Sequence, residues 1–232
     1  MKFKEDRFKG VRRVRYREIP EVVDDAMPRT WSSWKRKKVE EGGAFKLLKI
    51  DGYKTACQVA VQDLKPIFAV EPMELEVVYD LDEERLGSLI TMAPAFGDIG
   101  KTGIWWMRDR WNMEEICRIL ILDSVVANND RMTVNVLVRR NFRILAIDEA
   151  DSFRWHAPIK CKFRKSIKSP VQAFAWAYRK WLRGHVQAVM EQESDVERIL
   201  NQTLLPEDVE RAIARLRRMP EIVEVNFGRK IL

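Results

Sequence analysis

From Ala44 onward the spacing of apolar residues predicts a strand, a helix and a hairpin, and after them a series of helices. Phe45–Ile50 has strand character and runs into Asp51-Gly52, a turn signal. Tyr53–Phe68 has helical composition, with Val59, Val61, Leu64 and Ile67 as its apolar positions. Leu75–Leu81 and Leu89–Ala93 read as two further strands joined by the charged turn Asp82–Gly87. Ala95–Asn112, with three glycines and three tryptophans, reads as an irregular loop or short helix. Ile116, Ile119, Leu120 and Val126 then predict a helix over Met113–Ala127, with Glu114 and Glu115 in its first turn.

That helix should end at Asn128-Asn129-Asp130, whose side chains compete with the helical ladder, so Asp130 should project from a loop. Val134, Val136 and Val138 alternate with Asn135 and Leu137. A polar turn at Arg139–Arg143 and an apolar return, Ile144–Ile147, complete a hairpin. Phe153–Ser169 reads as a basic loop, and Pro170 as the opening of a helix whose stripe comprises Val171, Phe174, Ala175, Tyr178, Trp181 and Leu182. Asp195–Thr203 and Pro206–Met219 are two more helical stretches. The fold class expected is α+β.

The hairpin carries the chemistry. Asn135 enters its first strand and Asp148 leaves its second, and antiparallel pairing sets those two ends side by side. An amide oxygen and a carboxylate converging on one point suit Mg²⁺, which takes hard oxygen ligands and shares them with phosphate oxygens. Asp130, just upstream, is placed to orient or deprotonate a substrate hydroxyl. The plainer reading is a loop in which Asn128, Asn129 and Asp130 cap a helix and Asp148 ends a strand. Asp-Arg-x-x-x-Asn alone arises by chance, and the helix before it, the hairpin after it and the acid at the far end are what give it weight.

Asp123, Asn128, Asp130, Arg131, Asn135, Ile147, Asp148 and Phe153 together resemble the catalytic and metal-binding loops of the phosphatidylinositol 3-/4-kinase-like branch of the protein-kinase-like fold, in particular its HipA-like and actin-fragmin-kinase-like relatives. The resemblance implies a bilobal fold, with a small β-rich N-lobe over residues 1–93 and a larger, mainly helical C-lobe over 94–232. It implies ATP and Mg²⁺ as cofactors, Asp130 as the catalytic acid, Arg131 as the anchor of its loop, and Asn135 and Asp148 as metal ligands. Lys49 takes the place of the phosphate-binding lysine, Gln58 that of its partner glutamate, and Ile90–Pro94, with Met92 and Ala93, that of the adenine-contacting hinge. Alternation sends Lys46 and Lys49 to opposite faces of their strand, so only one can face a cleft.

Three positions depart from the family pattern. Met132 stands for the usual His, Glu149-Ala150 for a residue followed by Gly, and Gln58 for an acid. The loss of Gly predicts a stiffer Asp148 loop, since Ala enters left-handed backbone only at a cost. The segment upstream of Phe45 has no convincing Gly-rich phosphate loop, and Glu41-Gly42-Gly43 reads as a strand-connecting turn. The acceptor expected is a hydroxyl, foremost a protein Ser or Thr, with a lipid headgroup or small molecule as a further option. A catalytically degenerate kinase fold that serves as a binding module for nucleic acid or an acidic partner is the rival reading.

Charge adds a partner. Met1–Lys38 holds thirteen basic and six acidic side chains, a surplus equal to the formal net charge of +7 of the whole chain. Its clusters, Arg12 to Arg17 and Lys35 to Lys38, suit nucleic acid, an acidic protein or a phosphorylated ligand, or form a solvated basic face. Three widely spaced cysteines fit neither a disulfide framework nor a zinc site, and two histidines give little material for His-based chemistry. The absence of a transmembrane-length apolar run and the charged N-terminus lead to the expectation of a cytoplasmic protein.

Overall fold

The computed structural model describes residues 11–13, 35–41, 44–50, 52–80, 85–91, 95–103, 105–153, 163 and 165–228. It is a mixed α+β structure in which helices outweigh two small antiparallel sheets. Strands β1 (Val11–Arg13), β2 (Lys35–Glu41), β3 (Ala44–Ile50), β4 (Leu75–Asp80) and β5 (Arg85–Thr91) form one sheet in the order β1-β4-β5-β3-β2. Glu41 pairs with Ala44 at the end of the antiparallel β2–β3 ladder, and Gly42-Gly43, expected as the connecting turn, lie outside the described residues. Helix α1 (Tyr53–Leu64) links β3 to β4 and packs against β4 and β5.

One expectation for this sheet needed correction. The second strand of the β4–β5 hairpin begins at Arg85, where Asp80 pairs with it, so Arg85, Leu86 and Gly87, the second half of the stretch expected as a turn, are ladder. Leu86 is fully buried there and gives the strand a core-facing residue from its start. Parts of both basic clusters of the N-terminal segment also belong to the sheet. Lys35 to Lys38 lie in edge strand β2, and Arg12 and Arg13 lie in β1 at the opposite edge. Basic residues at sheet edges discourage edge-to-edge pairing.

The second sheet, in the order β6-β7-β8, is built from Ala95–Asp98 (β6), Val136–Arg139 (β7) and Ile144–Ala146 (β8). The hairpin β7–β8 is the one predicted. β6 falls in the stretch expected to be irregular, where a register shift between Ala95 and Gly97 had broken the alternation. A 3-10 turn at Trp105–Arg108 leads into α2 (Arg110–Val126). This helix starts three residues earlier than its apolar pattern, because Asp109 caps it by accepting from the Trp111 N–H at 2.8 Å. Glu114 and Glu115 are therefore past its first turn. Its end is where expected, with Ala127 in left-handed backbone at φ 52° and Asn128 N–H returning to the Asp123 carbonyl.

The rest is helical: α3 (Lys165–Ala177), α4 (Arg179–Met190), α5 (Glu193–Leu200), α6 (Pro206–Arg217) and α7 (Met219–Phe227). Pro170 does not open α3 but lies inside it, and the predicted stripe is divided between α3 and α4 by a break at Tyr178. α7 was missed because Pro206–Met219 was read as a single helix ending there. One apolar cluster runs from α1 through α2 to α7, with Ile116, Val125, Val136 and Leu216 among its buried members. Among the described residues no helix is long and apolar enough to cross a membrane.

Candidate active site

Between α2 and β7 the chain folds tightly around one side chain. Asn128, fully buried, accepts from the Asp130 N–H at 3.1 Å and donates to the Asp123 carboxylate at 3.2 Å. The Asp130 carbonyl accepts from Met132 N–H at 2.8 Å and from the Asn135 side-chain amide at 2.7 Å. A 3-10 turn over Thr133–Asn135 then delivers the chain into β7. Asp130 is half-buried at the start of this loop, as expected of a residue projecting from it.

Arg131 lies at the centre, buried, with every one of its donors used. Its Nε and one Nη2 N–H form a fork on Asp123 at 2.8 and 3.1 Å. Nη1 donates to the carbonyls of Asn135 at 2.8 Å and Ile147 at 2.5 Å. The remaining Nη2 donor reaches Glu149 at 3.2 Å. A guanidinium has five N–H donors, and all are accounted for. Arg131 thus ties the loop after Asp130 to the strand end before Asp148, a positioning role that fits its assignment as anchor.

The ties between Asn135 and Ile147 are doubled, since the Ile147 N–H also donates to the Asn135 carbonyl at 3.0 Å. The backbone of Asn135 is thus paired with that of Ile147, and Asp148 follows directly on Asn135's partner at the open end of the hairpin. The Asn135 nitrogen is committed to the Asp130 carbonyl, which cannot donate, and so its amide oxygen is the atom left to serve as a ligand. Asp148 is half-buried at φ 62°, a left-handed conformation that Asp tolerates better than most residues. With Ile147 and Glu149 both held inward, the backbone at Asp148 is fixed from either side.

The expectation for Ala150 is corrected by the same geometry. The left-handed residues of this loop are Asp148 and Phe153, and Ala150 is not among them, so lacking Gly there causes no backbone strain. Glu149 has a definite task. It is fully buried, receives Lys65 Nζ at 3.1 Å and Arg131, and accepts from the Gln62 amide at 3.0 Å. Lys65, also fully buried, donates in addition to the Ala146 carbonyl at 3.0 Å. Asp123, Glu149, Arg131 and Lys65 make a buried cluster of two anions and two cations. Burial pushes the Lys65 ammonium below its usual range against the pull of Glu149, and pushes the Asp123 carboxyl up against the pull of Arg131. For Arg131 burial acts downward, but the two carboxylates outweigh it and hold the guanidinium charged.

Sequence reasoning missed Lys65 and Gln62 as members of this network and read Glu149 only as a departure. The available signal was Lys65, a single cation between Leu64 and Pro66-Ile67-Phe68, which burial permits only when it is paired; Glu149, between Asp148 and Asp151, gave none. Lys54 on α1 adds an ion pair to Asp151 at 2.8 Å, so α1 holds the loop after Asp148 at both ends of the helix.

The nucleotide-side residues are less fully placed. Lys49 pairs in register with Ser88, and the Ser88 hydroxyl donates to Gln58 Oε1 at 3.4 Å. Gln58 on α1 is thus one hydrogen bond away from the strand position opposite Lys49. It is fully buried, and its Nε2 has no hydrogen-bond partner among the described residues. Met92 and Ala93 lie outside the described residues.

Among the described residues no group of three or more His, Cys, Asp or Glu is disposed to hold a metal ion. Two oxygen ligands of the Asn135–Asp148 kind fit Mg²⁺ nonetheless, because that ion retains waters and takes substrate phosphates beside one or two protein oxygens. No protein-family model matches the chain, and no curated protein matches it. The kinase resemblance therefore rests on the residues themselves.

Proposed function

We propose that this chain is an ATP- and Mg²⁺-dependent phosphotransferase of bilobal, protein-kinase-like build, acting on a hydroxyl, foremost that of a protein Ser or Thr. The observation that carries the reading is the Arg131 clamp. One buried guanidinium holds the carbonyls of Asn135 and Ile147, which ties Asn135 to the residue just before Asp148, with Asp130 on the adjoining loop.

In this reading Asn135 and Asp148 hold the metal, which screens phosphate charge when bound. Asp130 accepts a hydrogen bond from the incoming hydroxyl, orients its oxygen and takes its proton as that oxygen becomes a nucleophile. Lys49 steadies phosphate oxygens, and Gln58 supports it by hydrogen bonding rather than by charge. Asp123, Glu149 and Lys65 keep Arg131 in place and touch no substrate.

The test is transfer of labelled phosphate from ATP to the chain itself and to a mixed protein substrate. Asp130→Asn should lower transfer by about 10²- to 10⁴-fold while nucleotide still binds. Undiminished transfer in that variant would remove Asp130 from the chemistry. The second reading, a kinase fold kept only for binding, is favoured by one observation: a neutral Gln58 with an unused buried donor where an ion pair would be expected. Its signature is nucleotide binding without transfer in the unaltered chain.

A further inference from the structure

Residues 152–190 contain nine Lys and Arg, seven aromatic residues and no Asp or Glu. Summing charge over the whole chain beyond residue 38 conceals this segment, because acids elsewhere cancel it. Its described part is the pair of helices α3 and α4, and these put basic and aromatic side chains on the outside. Trp176 is 60 % exposed and Tyr178 38 % exposed. Lys165, Arg179, Lys180 and Arg183 are exposed as well. The inner face is ordinary core, with Val171, Ala175, Leu182 and Val186 buried.

The exposed rings are paired with cations. The Arg179 guanidinium sits 5.2 Å from the Trp176 ring centroid, whereas the Tyr178 ring packs against Phe174 at 4.4 Å and is covered at 4.7 Å by Arg110 of α2, which is itself ion-paired to Glu114. A ring held beside a guanidinium is a stacking surface with a phosphate-binding charge next to it. Lys180 and Arg183 lie one turn apart on α4, and so extend the charge along one side of the helix.

We infer that the outer face of α3 and α4 binds single-stranded nucleic acid, with Trp176 stacking on a base and Arg179, Lys180 and Arg183 following the phosphates. Charge complementarity selects a polyanion, since 39 consecutive residues supply no carboxylate. The exposed indole selects a base over an acidic side chain. A membrane is a poorer occupant, because the exposed face offers one large ring amid cations and its aliphatic side chains point into the core. This face is separate from the sheet-edge cations of β1 and β2 and is independent of the kinase reading.

The experiment is fluorescence anisotropy of a labelled oligouridylate of about 15 nucleotides titrated with the full chain at several salt concentrations, the site size being of the order seen for aromatic-lined grooves. Binding should weaken with salt with a log–log slope of about −2 for three phosphate contacts. Trp176→Ala should lose about tenfold in affinity, consistent with base stacking on an aromatic ring. Lys180→Glu/Arg183→Glu should lose more and flatten the salt slope. All these side chains are exposed, and unchanged melting curves would show that the variants fold.

Failure to bind the oligonucleotide would overturn the proposal. So would unchanged affinity in both variants, with the loss appearing instead when Lys35, Arg36, Lys37 and Lys38 are neutralised. Binding of anionic vesicles or a polyglutamate peptide that depends on Lys180 and Arg183, without binding of the oligonucleotide, would reassign the face to that partner.

Discussion

The two sides of α1 are built to different standards. On the side facing the Asp148 loop, Gln62, Lys65 and Lys54 meet Glu149 and Asp151, and the fully bonded Arg131 closes the network. On the side facing β5, Gln58 makes a single long hydrogen bond to Ser88 and leaves a buried donor idle. A charged network in low dielectric is stable only when every member is satisfied, so the first side has one permitted arrangement. The second retains freedom. The acid-bearing half of the candidate site is thus held rigidly, whereas the half that would meet phosphate is loosely specified.

The largest effect expected is from breaking the rigid side. Arg131→Ala leaves the buried Asp123 without its cation and takes one of the partners of Glu149, and should cost about 3–5 kcal/mol of unfolding free energy in urea melts. A loss under about 1 kcal/mol would mean that the cluster is wetter than its burial indicates. Lys65→Met should cost less, about 2–3 kcal/mol, because Glu149 keeps Arg131 and Gln62. Adding Glu149→Leu to Lys65→Met restores charge balance on that side, but removes an Arg131 partner. The double variant is therefore expected to recover only part of the loss, and full recovery would show that Glu149 does not support Arg131.

A smaller effect separates pH from packing. Burial, with Arg118 nearby, pushes His185 down to about 4, and its ring stacks on Trp181 at a centroid distance of 5.9 Å. The folded pKa is below the unfolded one, so this contribution is fully present above about pH 6.5 and is lost as pH falls toward 4. Relative to His185→Phe, the unaltered chain should lose about 1–2 kcal/mol between pH 7 and 4, allowing for partial exposure. Parallel pH curves for the two proteins would place His185 in solvent in the folded state.

Smallest of all is the change on the loose side. Gln58→Leu removes an idle donor along with a weak bond and should shift stability by less than about 1 kcal/mol. Gln58→Glu should tighten nucleotide binding if Lys49 lies within reach of it, and a melting curve with and without nucleotide reads both outcomes.

The contrast between the two sides also explains what could be read from the chain. Alternation at Val134–Val138 and Ile144–Ile147 gave the β7–β8 hairpin and with it the pairing of Asn135 with the residue before Asp148, since strand pairing is a local rule. Asn128 and Asp130 announced the end of α2 through their turn chemistry. β6 was not legible, because its four residues include a glycine and a register shift. Neither was the Lys65–Glu149 pair, which joins positions far apart in sequence whose pairing only tertiary packing decides. Glu149, seen alone, looked like a blemish in a motif; seen beside Lys65 and Arg131, it is what neutralises them.

The most direct test of the central claim is thermal denaturation of the full chain with ATP, with and without Mg²⁺, compared with Asp148→Asn. The account predicts a rise in melting temperature that requires the metal together with the nucleotide, and its disappearance in Asp148→Asn, whose own melting temperature without ligand stays close to that of the unaltered chain. An equal rise without Mg²⁺, or an undiminished one in the variant, would contradict the assignment of Asn135 and Asp148 as a metal-holding pair.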